Sequence, residues 1–209
     1  MTSELKLWRP FSPPIGQIKM PQSLIDSLNQ YTEEVTNDKM LNDKLDYGSG
    51  LVGQVSQEIG ITKEFLKKGL LEYFGFAVKI YINAYDGKSI KEFKLLKSWI
   101  VRQYKTEYNP IHWHGGHISG VAYLKLPDSF GESFQKNKKN NRNGKIVFSH
   151  GSKQFMSKSI IEFEPIVGDL YIFPNYLMHT VYPFYSEGER RSVSFNSIID
   201  NAIFDDNHY

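Results

Sequence analysis

The sequence predicts a mainly β domain of 209 residues, an antiparallel sandwich or jelly-roll barrel with helices packed outside it. Three observations predict this class. Apolar residues recur at helical spacing within residues 1–95, the period changes to two in residues 96–200, and turn signals then arrive about every ten residues. We therefore expect residues 1–95 to support a β core formed by residues 96–200 within one domain.

Two amphipathic helices are expected in the supporting region. The first covers residues 21–35, where Leu24, Leu28 and Tyr31 fall on one face. The second begins after Thr62, a residue type that caps helices through its hydroxyl. Its apolar face carries Leu66, Leu70, Phe74 and Val78.

Eight short strands are expected in the core. They are separated by turn signals such as NP, GG, NG and SEGE. The predicted strands cover residues 98–104, 111–114, 118–126, 145–149, 159–163, 169–173, 179–184 and 190–199. Before the core, the stretch LVGQVSQEI at residues 51–59 is expected to form a short extended or turn segment.

The composition limits the chemistry and the partners of this chain. Cysteine is absent, which excludes disulfides, thiolate metal sites and cysteine nucleophiles. The formal net charge is +2, and basic residues cluster only in residues 136–145 (KNKKNNRNGK). A stretch of Lys, Asn and Gly is typical of a solvated loop, so no nucleic-acid partner is expected.

The hydropathy pattern contains no membrane segment. No run reaches 18 consecutive apolar residues, and the N-terminus lacks the apolar run of a signal peptide. We expect a protein of the cytoplasm, or of the host-cell cytoplasm if a phage encodes it, without a membrane partner. The sequence leaves a homo-oligomer open.

Three of the six histidines lie within NPIHWHGGHISG, residues 109–120. Strand alternation places His112 and His114 on one face and Trp113 on the other. His179 begins the seventh predicted strand, which lies beside the second strand in a jelly roll. These three imidazoles can therefore share one metal ion, whereas an isolated His-x-His pair is as often a strand face without a ligand.

The remaining histidines are assigned other positions. His117 follows Gly115 and Gly116, whose flexible backbone leaves its direction open. It is a rival metal ligand, although we expect it beside the ligands or on the substrate side. His150 and His208 are expected at the surface.

The last predicted strand, ERRSVSFNSII at residues 189–199, contains a candidate anion site. Arg190, Ser192, Ser194 and Asn196 share one face by alternation. Arg190 can form a bidentate pair with a carboxylate, and Ser192 can donate one more hydrogen bond. Two alternatives stay open, a polar face that is only solvated and a bulge that would present Arg191 instead.

Three segments of the chain resemble the iron(II)- and 2-oxoglutarate-dependent oxygenases, in particular small bacterial and phage members with a His-x-His motif. The segments are HWHGGHISGVAYLKLP, GDLYIFPNYLMHTVYPF and RRSVSFN. The resemblance implies a double-stranded β-helix, the cupin-like jelly roll, with Fe(II) and 2-oxoglutarate as cofactors. It further implies His112, His114 and His179 as metal ligands, with Arg190 and Ser192 on the distal carboxylate of 2-oxoglutarate.

The implied reaction is a dioxygenase reaction. O2 and a peptide or small-molecule substrate are the expected partners, and a C–H bond is hydroxylated with release of succinate and CO2. Tyr104 and Tyr123 are candidate contacts of the cosubstrate or substrate, with Asn196 and His117 nearby. Substrate recognition is expected in surface loops, such as residues 86–92 and 129–144.

One residue departs from the usual pattern of this superfamily. His114 stands where most members carry Asp or Glu. Two other functions are therefore kept: a three-histidine, cupin-like dioxygenase that does not use 2-oxoglutarate, and a metal-binding module without catalysis.

Overall fold

The structure is a computed structural model, and it describes residues 13–200. Ten strands form two antiparallel sheets within this part of the chain. The strands are β1 (Gly16–Lys19), β2 (Gln57–Gly60), β3 (Phe93–Gln103), β4 (Asn109–His112), β5 (Ile118–Lys125), β6 (Ile146–Ser149), β7 (Ile160–Phe163), β8 (Asp169–Pro174), β9 (Met178–Val181) and β10 (Arg190–Ile199).

The two sheets differ in size. The larger has the order β1-β8-β5-β10-β3-β2, and the smaller has the order β4-β9-β6-β7. All neighbouring strands run antiparallel. Consecutive strands of the core alternate between the sheets for much of the chain, and this two-sheet arrangement confirms the predicted jelly roll.

Helices cover the outer face of the larger sheet. They are α1 (Gln22–Asn37), α2 (Lys39–Leu45), α3 (Lys63–Phe65) and α4 (Leu71–Asp86), with a 3-10 turn at Gly48–Gly50 and a π-helical segment at Leu66–Leu70 between α3 and α4. Thr62 caps α3 as predicted, because its hydroxyl accepts a hydrogen bond from the Phe65 amide at 3.2 Å. Gly69 has a φ of 102°, which explains the break before α4.

The predicted apolar faces form the core between helices and sheet. Leu28, Phe74 and Val78 are fully buried, and the Phe74 ring stacks on Phe195 of β10 with centroids 4.3 Å apart. Because Phe195 lies on the outer face of β10, alternate residues of that strand face the smaller sheet. A second apolar cluster lies between the sheets and includes Tyr123, Phe148 and Phe173.

All eight predicted strands are present, with their ends shifted by a few residues. Two elements, β1 and α2, were not predicted, and β2 was expected only as part of a short extended or turn segment. The strands β1 and β2 have only four residues each, and they lie at the two edges of the larger sheet, where pairing rather than periodicity defines them. The helix α2 has seven residues, and its apolar face consists of the partly buried Leu41 and Leu45, which is too short a pattern to detect.

The basic stretch is a loop, as its composition predicts. Residues 134–141 are exposed and contain neither helix nor strand.

No helix of the described part of the chain has the length and apolar character needed to cross a bilayer.

Candidate functional site

The three predicted histidines meet between the sheets. In the smaller sheet β4 pairs with β9, and His112 lies directly opposite His179. His114 follows two residues later, and its Nε2 atom lies 3.2 Å from Nε2 of His179. One ring nitrogen from each of the three lies within 4.8 Å of the others, which is the spacing of groups that can share a metal ion.

Backbone carbonyls fix the orientation of two of these rings. Nδ1 of His112 lies 2.7 Å from the Pro110 carbonyl oxygen, and Nδ1 of His179 lies 2.9 Å from the Leu177 carbonyl oxygen. A carbonyl oxygen only accepts, so each Nδ1 carries the proton and donates it. Each Nε2 therefore keeps its lone pair for a metal.

Aromatic rings surround the cluster. His179 packs against Phe173 and Phe148, and His114 packs against Trp99, with centroids between 4.9 and 5.8 Å apart. Burial, followed by the neighbouring imidazoles, lowers the pKa of His114 to about 2 and that of His179 to about 3. Both rings are neutral near pH 7, the form that binds metals.

An asparagine holds the segment that carries His114. Nδ2 of Asn175 donates to the His114 carbonyl oxygen at 3.0 Å, and the His114 amide donates to the Asn175 carbonyl oxygen at 3.0 Å. The Asn175 amide in turn donates to the His117 carbonyl oxygen at 3.0 Å. His114 lies beyond the end of β4, so these bonds replace a strand ladder in fixing its position. Asn175 was not predicted as a site residue. Its position in the turn between β8 and β9 is the only feature of the sequence that indicates a role.

His117 lies outside the cluster. Gly116 has a φ of 94°, and a Cβ there would lie 2.7 Å from the Ser197 carbonyl oxygen, so the backbone turn requires glycine. Nδ1 of His117 lies beside the end of β10 and accepts a hydrogen bond from the Ile199 amide at 3.2 Å. The turn therefore directs His117 away from the other three rings.

A cavity of about 250 Å³ opens beside the cluster. The predicted polar face of β10 lines it together with the three histidines. The β10 residues in its wall are Arg190, Ser192, Ser194 and Asn196. Neither of the loops predicted to recognise the substrate, residues 86–92 and 129–144, contributes to the wall.

Arg190 is a buried cation in the wall of this cavity, with 1% of its surface exposed. Nε donates to the Gly144 carbonyl oxygen at 3.2 Å, and Nη1 donates to Oε1 of Gln103 at 3.3 Å. The guanidinium carbon lies 4.8 Å from the centre of the Tyr123 ring. Within residues 13–200, neither Nη2 nor the Tyr123 hydroxyl has a hydrogen-bond partner of good geometry.

The neighbouring arginine has its own partners. Arg191 faces the opposite side of the sheet, where Nε donates to Oε1 of Glu189 at 2.7 Å and Nη2 donates to Oε1 of Glu33 at 2.7 Å. The bulge considered in the sequence does occur between Arg191 and Ser192, but it affects only the ladder with β5. Pairing with β3 is continuous there, so Arg190 keeps its place in the cavity.

Of the other predicted contacts, Tyr123 and Asn196 lie beside Arg190 or in the cavity wall, and Tyr104 does not. Tyr123 lies under the Arg190 guanidinium, and Asn196 lines the cavity while accepting a hydrogen bond from the Ser119 hydroxyl at 2.9 Å. Tyr104 is not part of the cavity wall, and its ring packs against Arg102, 5.5 Å from the guanidinium carbon.

Comparison with known proteins gives one family match and several solved structures of similar fold. Residues 97–196 match the model of a family described as "Putative 2OG-Fe(II) oxygenase". No curated protein matches the chain.

Several solved structures share the fold. A prolyl-4-hydroxylase from Pseudomonas putida is 13% identical over 88% of this chain and 91% of its own, with a TM-score of 0.52. The viral collagen prolyl hydroxylase of Paramecium Bursaria Chlorella virus-1, solved with 2-oxoglutarate, is 14% identical over 88% of this chain and 94% of its own, with a TM-score of 0.53. HygX from Streptomyces hygroscopicus, solved with nickel and 2-oxoglutarate, is 14% identical over 88% of this chain and 82% of its own, with a TM-score of 0.56.

The fold likeness and the family match bear on the same part of the chain. The solved structures confirm the predicted double-stranded β-helix with N-terminal helices. The family match covers the segment that contains all three clustered histidines and Arg190. Over residues 97–196 the chain is therefore similar to the iron(II)- and 2-oxoglutarate-dependent oxygenases, and it shares the fold of the prolyl hydroxylases and of HygX.

Proposed function

We propose that the protein is a dioxygenase that hydroxylates a C–H bond of a peptide or small molecule and converts 2-oxoglutarate into succinate and CO2. One observation carries this proposal. The buried Arg190 shares a cavity with the three-histidine cluster, yet the ion pairs formed by β10 within residues 13–200 belong to Arg191. A buried cation without a protein counterion fits a carboxylate ligand.

His112, His114 and His179 would hold the iron. Their Nε2 atoms converge, and two of the rings are already oriented by backbone carbonyls. Nitrogen ligands of this kind suit iron, copper, nickel and zinc, so the ligand set alone does not select the metal. Iron is proposed because the family uses it.

Arg190 and Ser192 would hold the distal carboxylate of 2-oxoglutarate. Nη2 of Arg190 can donate a charge-assisted hydrogen bond to this carboxylate in a buried space, where such bonds are strongest, and the Tyr123 hydroxyl interacts with the guanidinium from below. When bound, iron and 2-oxoglutarate together activate O2. The chain contributes by orienting the cosubstrate and by keeping water out of a cavity walled by Trp99, Phe173 and Val181.

His114 in the carboxylate position changes the electrostatics of this site. Three neutral imidazoles leave both positive charges of the ion uncompensated, whereas a carboxylate would neutralise one. An anionic cosubstrate at the remaining positions is favoured by this excess charge.

We also propose that the chain acts as one domain, in which residues 1–95 support the core of residues 96–200.

Succinate formation tests the proposal without knowledge of the substrate. Purified protein is supplied with Fe(II), 2-oxoglutarate and O2, and both bound iron and succinate are measured. We expect wild type to form succinate slowly, since the cosubstrate is consumed without hydroxylation. His179→Ala removes one of three ligands and should lose iron and succinate together, while the matched control His117→Ala should keep both.

Other outcomes would contradict the proposal in distinguishable ways. Consumption of O2 without any requirement for 2-oxoglutarate would favour the cupin-like dioxygenase. Bound iron with neither O2 consumption nor succinate would favour a metal-binding module. Loss of iron in His117→Ala rather than in His179→Ala would show that the proposed ligand set is wrong.

A further inference from the structure

Glu58, Gly53 and Asn109 line one part of the same cavity, the Glu58 branch, and Glu58 has no role in the proposed chemistry. It lies on β2 at the edge of the larger sheet, opposite Val101, and Val101 lies opposite Ser192 of β10. Residues opposite one another in antiparallel strands point to the same face of the sheet. The Glu58 carboxylate therefore faces the cavity, and Glu58 is 3% exposed.

One oxygen of this carboxyl group lacks a partner. Oε2 of Glu58 is buried without a hydrogen-bond partner in the described chain. Lys97 lies in the same cavity wall, but its Nζ atom sits over the Tyr47 ring, 4.8 Å from the centroid. Burial, followed by the charge of Asp46 and opposed by that of Lys97, raises the pKa of Glu58 to about 7. Such a group is stabilised by a cation that enters the cavity.

A second acceptor faces the same small space. A Cβ atom added to Gly53 would lie 2.6 Å from Oδ1 of Asn109 and 2.9 Å from Oε1 of Glu58, so both oxygens border the space beside Gly53. Oδ1 of Asn109 is also buried without a partner in the described chain. The Glu58 carboxyl group and Oδ1 of Asn109 therefore offer acceptors to a ligand that donates hydrogen bonds, and the ionised carboxylate favours a donor with positive charge.

The branch lies within reach of the histidine cluster. Asn109 is three residues before His112 on β4, which separates their Cα atoms by roughly 10 Å along an extended strand. A ligand anchored at Glu58 can therefore place a carbon several bonds away beside the metal site.

We propose that the hydroxylated substrate carries an ammonium or guanidinium group on an aliphatic chain, and that Glu58 and Asn109 bind this group. The inference rests on the proposed function, because it takes the histidine cluster as the place of reaction. The substrate is then a peptide or small molecule with a cationic nitrogen, such as a basic side chain or an aliphatic amine.

Calorimetry on the full-length protein with Fe(II) and 2-oxoglutarate under anaerobic conditions tests this inference. The probes are pentylammonium, butylguanidinium and the uncharged pentan-1-ol. We expect wild type to bind at least one of the two cations about tenfold or more tightly than the alcohol. Glu58→Gln keeps the shape of the side chain and should abolish this preference. Glu164→Gln, which changes an exposed carboxylate outside the cavity wall, should keep it.

A second variant blocks the branch without removing its charge. Gly53→Ala places a methyl group in the space between the two oxygens, and Gly53 has no left-handed backbone that would forbid alanine. This variant should also lose the preference for the cations over the alcohol, although its Glu58 side chain is unchanged.

The inference is overturned if wild type shows no preference for either cation, or if Glu58→Gln and Gly53→Ala both keep it. Its failure is separable from failure of the proposed function. Wild type that forms succinate but ignores the cations contradicts only the Glu58 assignment, whereas absence of succinate contradicts the dioxygenase itself.

Discussion

At the scale of single residues, the site depends on atoms that hold the functional groups as much as on those groups. Nδ1 of His112 and Nδ1 of His179 each donate to a carbonyl two residues earlier in the chain. His114 lies beyond the end of β4, and its backbone is held by hydrogen bonds with Asn175 instead. The side-chain amide of Asn175 is therefore a positioning group for one of the three proposed ligands.

Removal of this amide should weaken the metal site more than the fold. Asn175→Ala deletes the hydrogen bond to the His114 carbonyl, and we expect iron affinity to fall about tenfold or more, while unfolding of the metal-free protein becomes about 1 kcal/mol easier. Asn175→Asp keeps the shape without the donor and should behave like alanine. Iron titrations and urea unfolding measure the two quantities.

The control for this prediction is Asn141→Ala. Asn141 donates to the Gly131 carbonyl oxygen at 2.8 Å in the exposed loop, so its loss tests a bond of the same type far from the histidines. Equal iron affinity in Asn175→Ala and wild type would show that His114 is held by other contacts.

At the scale of elements, β10 serves two functions through its two faces. Arg190 points into the cavity, and Arg191 points to the helical layer, where it joins Glu189 of the sheet to Glu33 of α1. Burial raises the pKa of Glu189, but hydrogen bonds from Arg191 and Arg102 outweigh it and bring the pKa to about 2. The network around Glu189 therefore fastens α1 to the sheet.

This network predicts a loss of stability in acid. The folded-state pKa of Glu189 lies below its ordinary value of 4.5, so its contribution is complete above about pH 5 and is lost as the pH falls towards 2. Glu189→Gln should lose less stability over that range than wild type, by at most about 3 kcal/mol. Urea unfolding at pH 5, 4 and 3 measures the difference. The surface variant Glu164→Gln should follow wild type, and a Glu189→Gln curve parallel to that of wild type would exclude the network as the cause.

Strand parity accounts for the part of the site that the sequence predicts. Alternation correctly brings His112 and His114 together and separates Arg190 from Arg191, while Trp113 is 64% exposed although it also borders the cavity. It cannot predict Glu58 or Asn175, since a four-residue edge strand and a turn have no period to read. Tyr104 is a candidate contact that alternation does not exclude, yet its ring packs against Arg102 outside the cavity.

At the scale of the whole molecule, three layers determine where chemistry can occur. Helices seal the outer face of the larger sheet, apolar rings fill much of the space between the sheets, and the cavity occupies what remains. Its wall places a cation, Arg190, and a carboxyl group, that of Glu58, on the same sheet face, with the histidines opposite on the smaller sheet. This layout separates the proposed cosubstrate site at Arg190 from the proposed substrate site at Glu58.

The central claim is that Arg190 receives 2-oxoglutarate beside a metal held by the histidines. Anaerobic titration of the Fe(II) protein with 2-oxoglutarate tests it most directly, since the iron-bound cosubstrate absorbs weakly in the visible. Wild type should develop this band, and Arg190→Met, which keeps the length of the side chain but not its charge, should require about 30-fold or more 2-oxoglutarate. Arg191→Met, although less stable, should titrate like wild type. A band that forms equally well in Arg190→Met, or no band in wild type with iron bound, would contradict the claim.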